Sequence, residues 1–178
     1  MLDIAPPFSV LKDRLRLEKA NLSDYPVLED VIASVYAAFE NYLRRHLEYS
    51  TQQEIDYQNN RIMVSLKALP IESITTITNS DGEVIDADNY EITEYGVRLL
   101  TPTNGKLIID YVGGLAIAPE DLTRASMYQI ISEYQRRDNP DSEYITGEGG
   151  SVTRPQLGLL KEVKRLLEPF LHPLAIGI

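Results

Sequence analysis

The chain has 178 residues, 43% of them apolar, which suits a single domain with a core of its own. Its 27 acidic and 17 basic side chains leave a net charge of −10, which disfavours a protein built to grip nucleic-acid phosphates. The absence of Cys excludes disulfides, thiol nucleophiles and thiolate metal sites, and no apolar run approaches the ~20 residues of a membrane span.

The N-terminus lacks a basic region followed by an apolar core, so no signal peptide is expected and the chain reads as soluble and made in a reducing cytoplasm. Residues 1–8, with Pro6-Pro7, read as an extended arm. Ser9 can cap a short helix through Leu17, and Ser23 or Asp24 can cap a longer one over 25–47. In that second helix Leu28, Ile32, Val35, Phe39, Tyr42 and Leu43 keep the spacing of a core-facing stripe, with Pro26 in the first turn. Residues 47–60 are polar and read equally as loop or strand.

From about residue 55 to 112 the period changes to two. Strands are expected over 61–66, 71–78, 90–95, 96–100 and 106–112. Ser80-Asp81-Gly82-Glu83 marks a hairpin turn, and residues 102–105 turn the chain again. Gly113-Gly114 then stop the last strand. Pro119, Glu120 and Asp121 open a helix over 119–137 whose apolar face is Met127, Ile130, Ile131 and Tyr134. Its other face carries Ser126, Gln129, Ser132, Glu133 and Arg136.

Residues 138–154 are too long for an ordinary connection, and read either as a surface loop or as a segment that orders against a partner. Thr153 and Gln156 have capping-box spacing ahead of a last helix carrying Leu159, Leu160, Val163, Leu166, Leu167 and Phe170. Glu168-Pro169 stops it, and an apolar tail follows. Only residues 151–178 are net positive, with four basic and two acidic side chains. The fold class is therefore α+β: a helical part from both chain ends, residues 1–54 and 119–178, with an antiparallel sheet of about five strands over 55–112.

Chemistry is hard to find. His46 and His172 lie far apart, and no nucleophile elbow, zinc-protease motif or phosphate-cradling glycine loop is present. Asp81, Glu83, Asp86 and Asp88 cluster beside a turn but lack the sixth-position Gly and closing Glu of a calcium loop. No catalytic residue, metal or cofactor is expected. The residues favour a binding or structural role only by elimination.

Several motifs carry a resemblance. Tyr111-Val112-Gly113-Gly114, Pro119-Glu120-Asp121-Leu122 and a helix closing on Arg136-Arg137 resemble the head–tail connector (adaptor, head completion) proteins of tailed bacteriophages. Leu11 to Leu17, Ala37 to Tyr42, Leu69-Pro70-Ile71 with Ser73, Ile74 and Ile77, Tyr90-Glu91-Ile92, and Leu166-Leu167-Glu168-Pro169-Phe170 are similar to further parts of that family, in order. The longer second helix, the 138–154 loop and the tail depart from its pattern.

The resemblance implies a virion structural protein of the neck, assembled in the host bacterial cytoplasm as a ring of about twelve copies beneath the portal. Such a ring holds the packaged DNA in and offers a platform for the tail or the next neck protein. On this reading Leu166, Leu167, Phe170, His172, Leu174 and Ile176 dock the portal. Tyr144, Ile145, Glu148, Val152 and Arg154 reach a neighbouring subunit, and Asp81, Glu83, Asp86 and Asp88 line a channel through which DNA passes without specific binding. The alternatives are a carboxylate-dependent hydrolase, which needs a facing pair of buried acids in a cleft, and a non-viral protein-binding module.

Overall fold

Leu107, Ile109 and Tyr111 are buried and alternate with half-buried Ile108 and Asp110 along the longest strand among the described residues. The computed structural model describes residues 8–15, 24–138, 144–146, 151–153 and 158–172. They divide between two compact units, one holding Leu43–Ile117 with Leu171 and His172, the other the described residues within 3–42 and 118–170. The α+β class expected from the sequence is observed, with a sheet of four strands.

In the first unit, β1 (Ser50–Ser65), β2 (Ile71–Thr78), β3 (Tyr90–Thr93) and β4 (Gly96–Gly113) form one antiparallel sheet. β4 is its spine. β1 runs along one edge of it, from Ser50 opposite Gly113 to Ser65 opposite Gly96. The other edge is shared by β2, with Thr78 opposite Ile108, and β3, with Tyr90 opposite Leu99. Leu107, Ile109 and Tyr111 point inward and join Val64, Leu66, Ala68, Ile77, Val97 and Leu99 in a closed core. Each such aliphatic side chain contributes ~1.5–3 kcal/mol on full burial.

Two of the expected strands, 96–100 and 106–112, are one strand, because residues 102–105 do not turn the chain. The ladder to β1 jumps from Arg61 opposite Thr103 to Met63 opposite Arg98, which leaves residues 99–102 of β4 unpaired on that side. Pro102, with no N–H to donate, is accommodated there. Residues 50–60, ambiguous from sequence, belong to β1.

Gly113 and Gly114 end β4 as expected, by close approach. A side chain at Gly113 would overlap the Ala68 carbonyl, and one at Gly114 (φ +107°) the Glu48 carbonyl. The Gly114 N–H donates to Pro70 O at 3.0 Å and the Leu115 N–H to Leu47 O at 2.9 Å, so the glycines let three chain segments meet.

The second unit holds the helices. α1 (Phe8–Leu15) and α2 (Asp24–Leu43) precede α3 (Glu120–Asp138) and α4 (Lys161–Leu167), which runs into a 3₁₀ turn at Glu168–Phe170. α2 buries Leu28, Val35, Tyr36 and Phe39 along one stripe. It ends at Leu43 rather than continuing to residue 47, because Arg44 takes a left-handed conformation at φ +53°. α3 packs against α1 and α4.

The polar face expected for α3 is corrected in part. Ser126 and Gln129 are buried with Leu122, Ala125, Ile130 and Tyr134, because both polar groups find partners. Ser126 Oγ donates to Thr123 O at 2.7 Å. Gln129 Nε2 donates to Glu133 Oε1 at 2.9 Å and Gly158 O at 3.3 Å, while its Oε1 accepts from the Leu160 N–H at 3.0 Å. Gln129 thereby secures the entry to α4. That helix begins at Lys161, so Thr153 does not cap it. Thr153 instead pairs with Tyr144 in a small hairpin of β5 (Tyr144–Thr146) and β6 (Ser151–Thr153).

Candidate interaction surfaces

The four acids proposed to line a channel lie together on the segment that follows β2, and all are exposed. Asn79 builds their turn. Its Oδ1 accepts from the Asp81 N–H at 3.0 Å and the Glu83 N–H at 2.9 Å, and its Nδ2 donates to Glu83 Oε2 at 3.2 Å. The side chains of Asp81, Asp86 and Asp88 thus face solvent from a segment fixed by its backbone. Among the described residues no group of three or more His, Cys, Asp or Glu is placed to hold a metal ion.

The residues assigned to portal docking fall in both units. Leu166 and Phe170 are half-buried on the second unit, and Leu167 beside them is fully enclosed. His172 is 4% exposed and belongs to the first unit. Its N–H donates to Leu43 O at 3.0 Å, and its Nε2 lies 3.0 Å from Leu66 O and 3.2 Å from Ser65 Oγ. The backbone bond closes a carbonyl left open at the end of α2. His172 is therefore a structural clasp within the first unit. Leu174 and Ile176 lie outside the described residues.

Of the set assigned to a neighbouring subunit, Tyr144 and Ile145 lie on β5 and Val152 on β6, with Ile145 opposite Val152. Glu148 and Arg154 lie outside the described residues.

The sequence reading missed the edge of β1. This 16-residue strand ends the sheet order, so one of its edges has no strand partner among the described residues. Its inward positions from Ser50 to Gln58 are polar, while Ile55 and Tyr57 on the outward face are 53% and 74% exposed. This inverted pattern is why residues 47–60 read equally as loop or strand from sequence. A groove of about 920 Å³ follows the edge, lined by the exposed apolar residues Ile55, Ile62, Met63 and Tyr95 and by the cations Arg61 and Lys67. Neither cation forms an ion pair among the described residues.

The acids lining that groove are already engaged. Glu54 Oε1 accepts from the Tyr111 hydroxyl and, at 2.7 Å, from the Lys67 N–H, and Asp56 accepts from Gln58 Nε2. The Tyr111 hydroxyl also accepts from the Ala68 N–H at 3.0 Å. Burial, then the bond to Glu54, raises the Tyr111 pKa well above its ordinary value. Burial lowers that of Arg45, whose guanidinium donates to Leu69 O. These bonds hold the fold together.

Residues 11–171 match the family model described as "Head completion protein". No curated protein matches the chain in sequence. Among solved structures, the chain is similar to one from the neck of an empty gene transfer agent particle computed with C6 symmetry. That match has a TM-score of 0.61 and 18% identity, over 94% of this chain and 89% of the other. A chain from the virion of the native gene transfer agent particle has the same score and identity, over 96% and 92%. One from the native neck computed with C12 symmetry has a TM-score of 0.55 and 17% identity, over 91% and 88%. At these identities the likeness is one of fold.

Proposed function

Because this chain belongs to the head completion protein family, we propose that it is a structural protein of the virion neck. It forms a ring beneath the portal, joins the DNA-filled head to the tail or the next neck protein, and helps retain the genome. The observation that carries this reading is the family match over residues 11–171, supported by a fold shared with chains of gene transfer agent necks computed with six- and twelvefold symmetry. A ring of about twelve copies, assembled in the host cytoplasm, follows from the same reading.

The chain's surfaces are compatible with that role. A closed ring joins subunits head to tail, so each copy needs two different, complementary patches. The hairpin of β5 and β6 supplies one of them. Leu166 and Phe170, with the apolar residues Leu174 and Ile176 beyond His172, dock the portal. The segment carrying Asp81, Glu83, Asp86 and Asp88 faces the channel, where like charge discourages adhesion of DNA phosphates. The hydrolase alternative draws no support, since those acids stand on an open surface and Glu54 is committed to Tyr111 and the Lys67 N–H.

Removing the gene from the phage that encodes the protein tests the reading. The expected result is packaged heads that fail to acquire tails and lose their DNA. A normal yield of tailed, infectious particles without it would refute the assignment.

A further inference from the structure

We propose that the groove along the open edge of β1 receives the hairpin of β5 and β6 from a second copy of this chain, by strand addition. The inference rests on the ring reading above and names the surface that completes the ring's head-to-tail contact.

A long strand edge presents unpaired N–H and C=O groups, and proteins either cover such an edge or use it to recruit another strand. At ~3.3 Å per residue, β1 offers an edge of about 50 Å. The three-residue strands β5 and β6 stand at the other extreme. A lone two-stranded hairpin is marginal in water and gains stability from a further strand. Among the described residues one element lacks a strand partner along its edge, and the other is only three residues per strand.

Charge selects the hairpin over other occupants. Residues 138–154 carry four acids, Asp138, Asp141, Glu143 and Glu148, against one base, Arg154. The groove's acids are engaged internally, whereas Arg61 and Lys67 have no ion pair among the described residues. An acidic segment entering beside two such cations is favoured, and it orients the contact. Ile55, Ile62, Met63 and Tyr95 supply apolar surface next to the edge. The donor belongs to one unit and the receiving edge to the other, which is the pairing of unlike patches that a ring requires.

The competing occupant is the chain's own tail, because His172 lies against Ser65, which also lines the groove. The test separates the two. The chain has no Cys, so cross-links arise only where Cys is introduced. Rings are first confirmed by native mass, with the portal present if needed, and then treated with a short bismaleimide. Ile62→Cys with Ile145→Cys should give a ladder of covalent multimers up to the closed ring, and either single variant should give none. A ring that forms but yields no ladder overturns the inference and leaves the neck reading standing. An intramolecular product from Ile62→Cys with Ile176→Cys, with no ladder from the first pair, assigns the groove to the tail and also overturns it. Failure of the unsubstituted protein to form a ring under either condition overturns both.

A second measurement covers variants that fold poorly. Arg61→Glu with Lys67→Glu, two exposed side chains, should weaken ring formation at least tenfold, and Glu143→Lys with Glu148→Lys should restore much of it. Unchanged association of the reversed variant contradicts the proposal.

Discussion

Tyr111 on β4 lies opposite Gln52 but bonds diagonally to Glu54, two residues along β1, while its hydroxyl also accepts from the Ala68 N–H. Two strands and the connection between β1 and β2 are joined through one phenol. Tyr111→Phe removes the acceptor from the Ala68 N–H and the donor to Glu54. A loss of ~1–3 kcal/mol is expected, since a buried donor is left unsatisfied. Denaturant unfolding of the variant against the parent measures it, and an unchanged midpoint at constant m contradicts the assigned role.

The same phenol sets a pH dependence. Its folded pKa is raised above the ordinary value of 10.0, so above that pH the unfolded chain releases a proton that the folded chain keeps. The stability it contributes is complete below pH ~10 and declines as pH rises from there towards the folded pKa. Unfolding midpoints between pH 8 and 11 should fall more steeply for the parent than for Tyr111→Phe. Parallel curves would count against the linkage.

Gly114→Ala should be among the most damaging single substitutions. It places a side chain against the Glu48 carbonyl at a φ of +107°. Strain and overlap together cost several kcal/mol on the usual scales. Gly82 also has positive φ (+81°) but open space around it, so Gly82→Ala should cost only ~1 kcal/mol. Thermal unfolding of the two variants separates close approach from backbone preference, and equal losses would contradict the distinction.

These residues also mark what the sequence made legible. The strand, the two glycines and the Pro-Glu-Asp opening of α3 were readable because turn chemistry and dipole-matched charge are local signals. The stripe of α2 was readable, but its end was not, since Arg44 gives no compositional sign of a left-handed stop. β1 was obscured because Ser50, Gln52, Glu54, Asp56 and Gln58 face inward, where the alternation rule expects apolar residues. The continuity of β4 past Pro102 depends on a register jump that only the partner strand reveals. The β1 groove was missed for the same reason, because an open edge is a property of the sheet and not of any one strand.

Gln129 fixes the start of α4 through two bonds, one to Gly158 O and one from the Leu160 N–H. Gln129→Ala leaves the Leu160 N–H and the Gly158 carbonyl without that partner and opens a space in α3. A loss of ~2–3 kcal/mol is expected. Amide exchange over Lys161–Leu167 should accelerate more than over β4, and uniform acceleration would contradict a local role.

The channel assignment predicts how assembled rings meet DNA. Parent rings should not retain a DNA duplex at physiological salt. Asp81→Lys with Asp86→Lys and Asp88→Lys, which spares the Glu83 bond to Asn79, should bind it with an affinity that falls steeply as salt rises. Tight binding by parent rings would defeat the charge argument.

The most direct test of the neck assignment is the native mass of the purified protein, alone and mixed with the portal protein of the same genome. The account predicts a closed ring of about twelve copies, or a stoichiometric ring-sized complex that forms only on the portal. A protein that stays monomeric under both conditions and ignores the portal would contradict it.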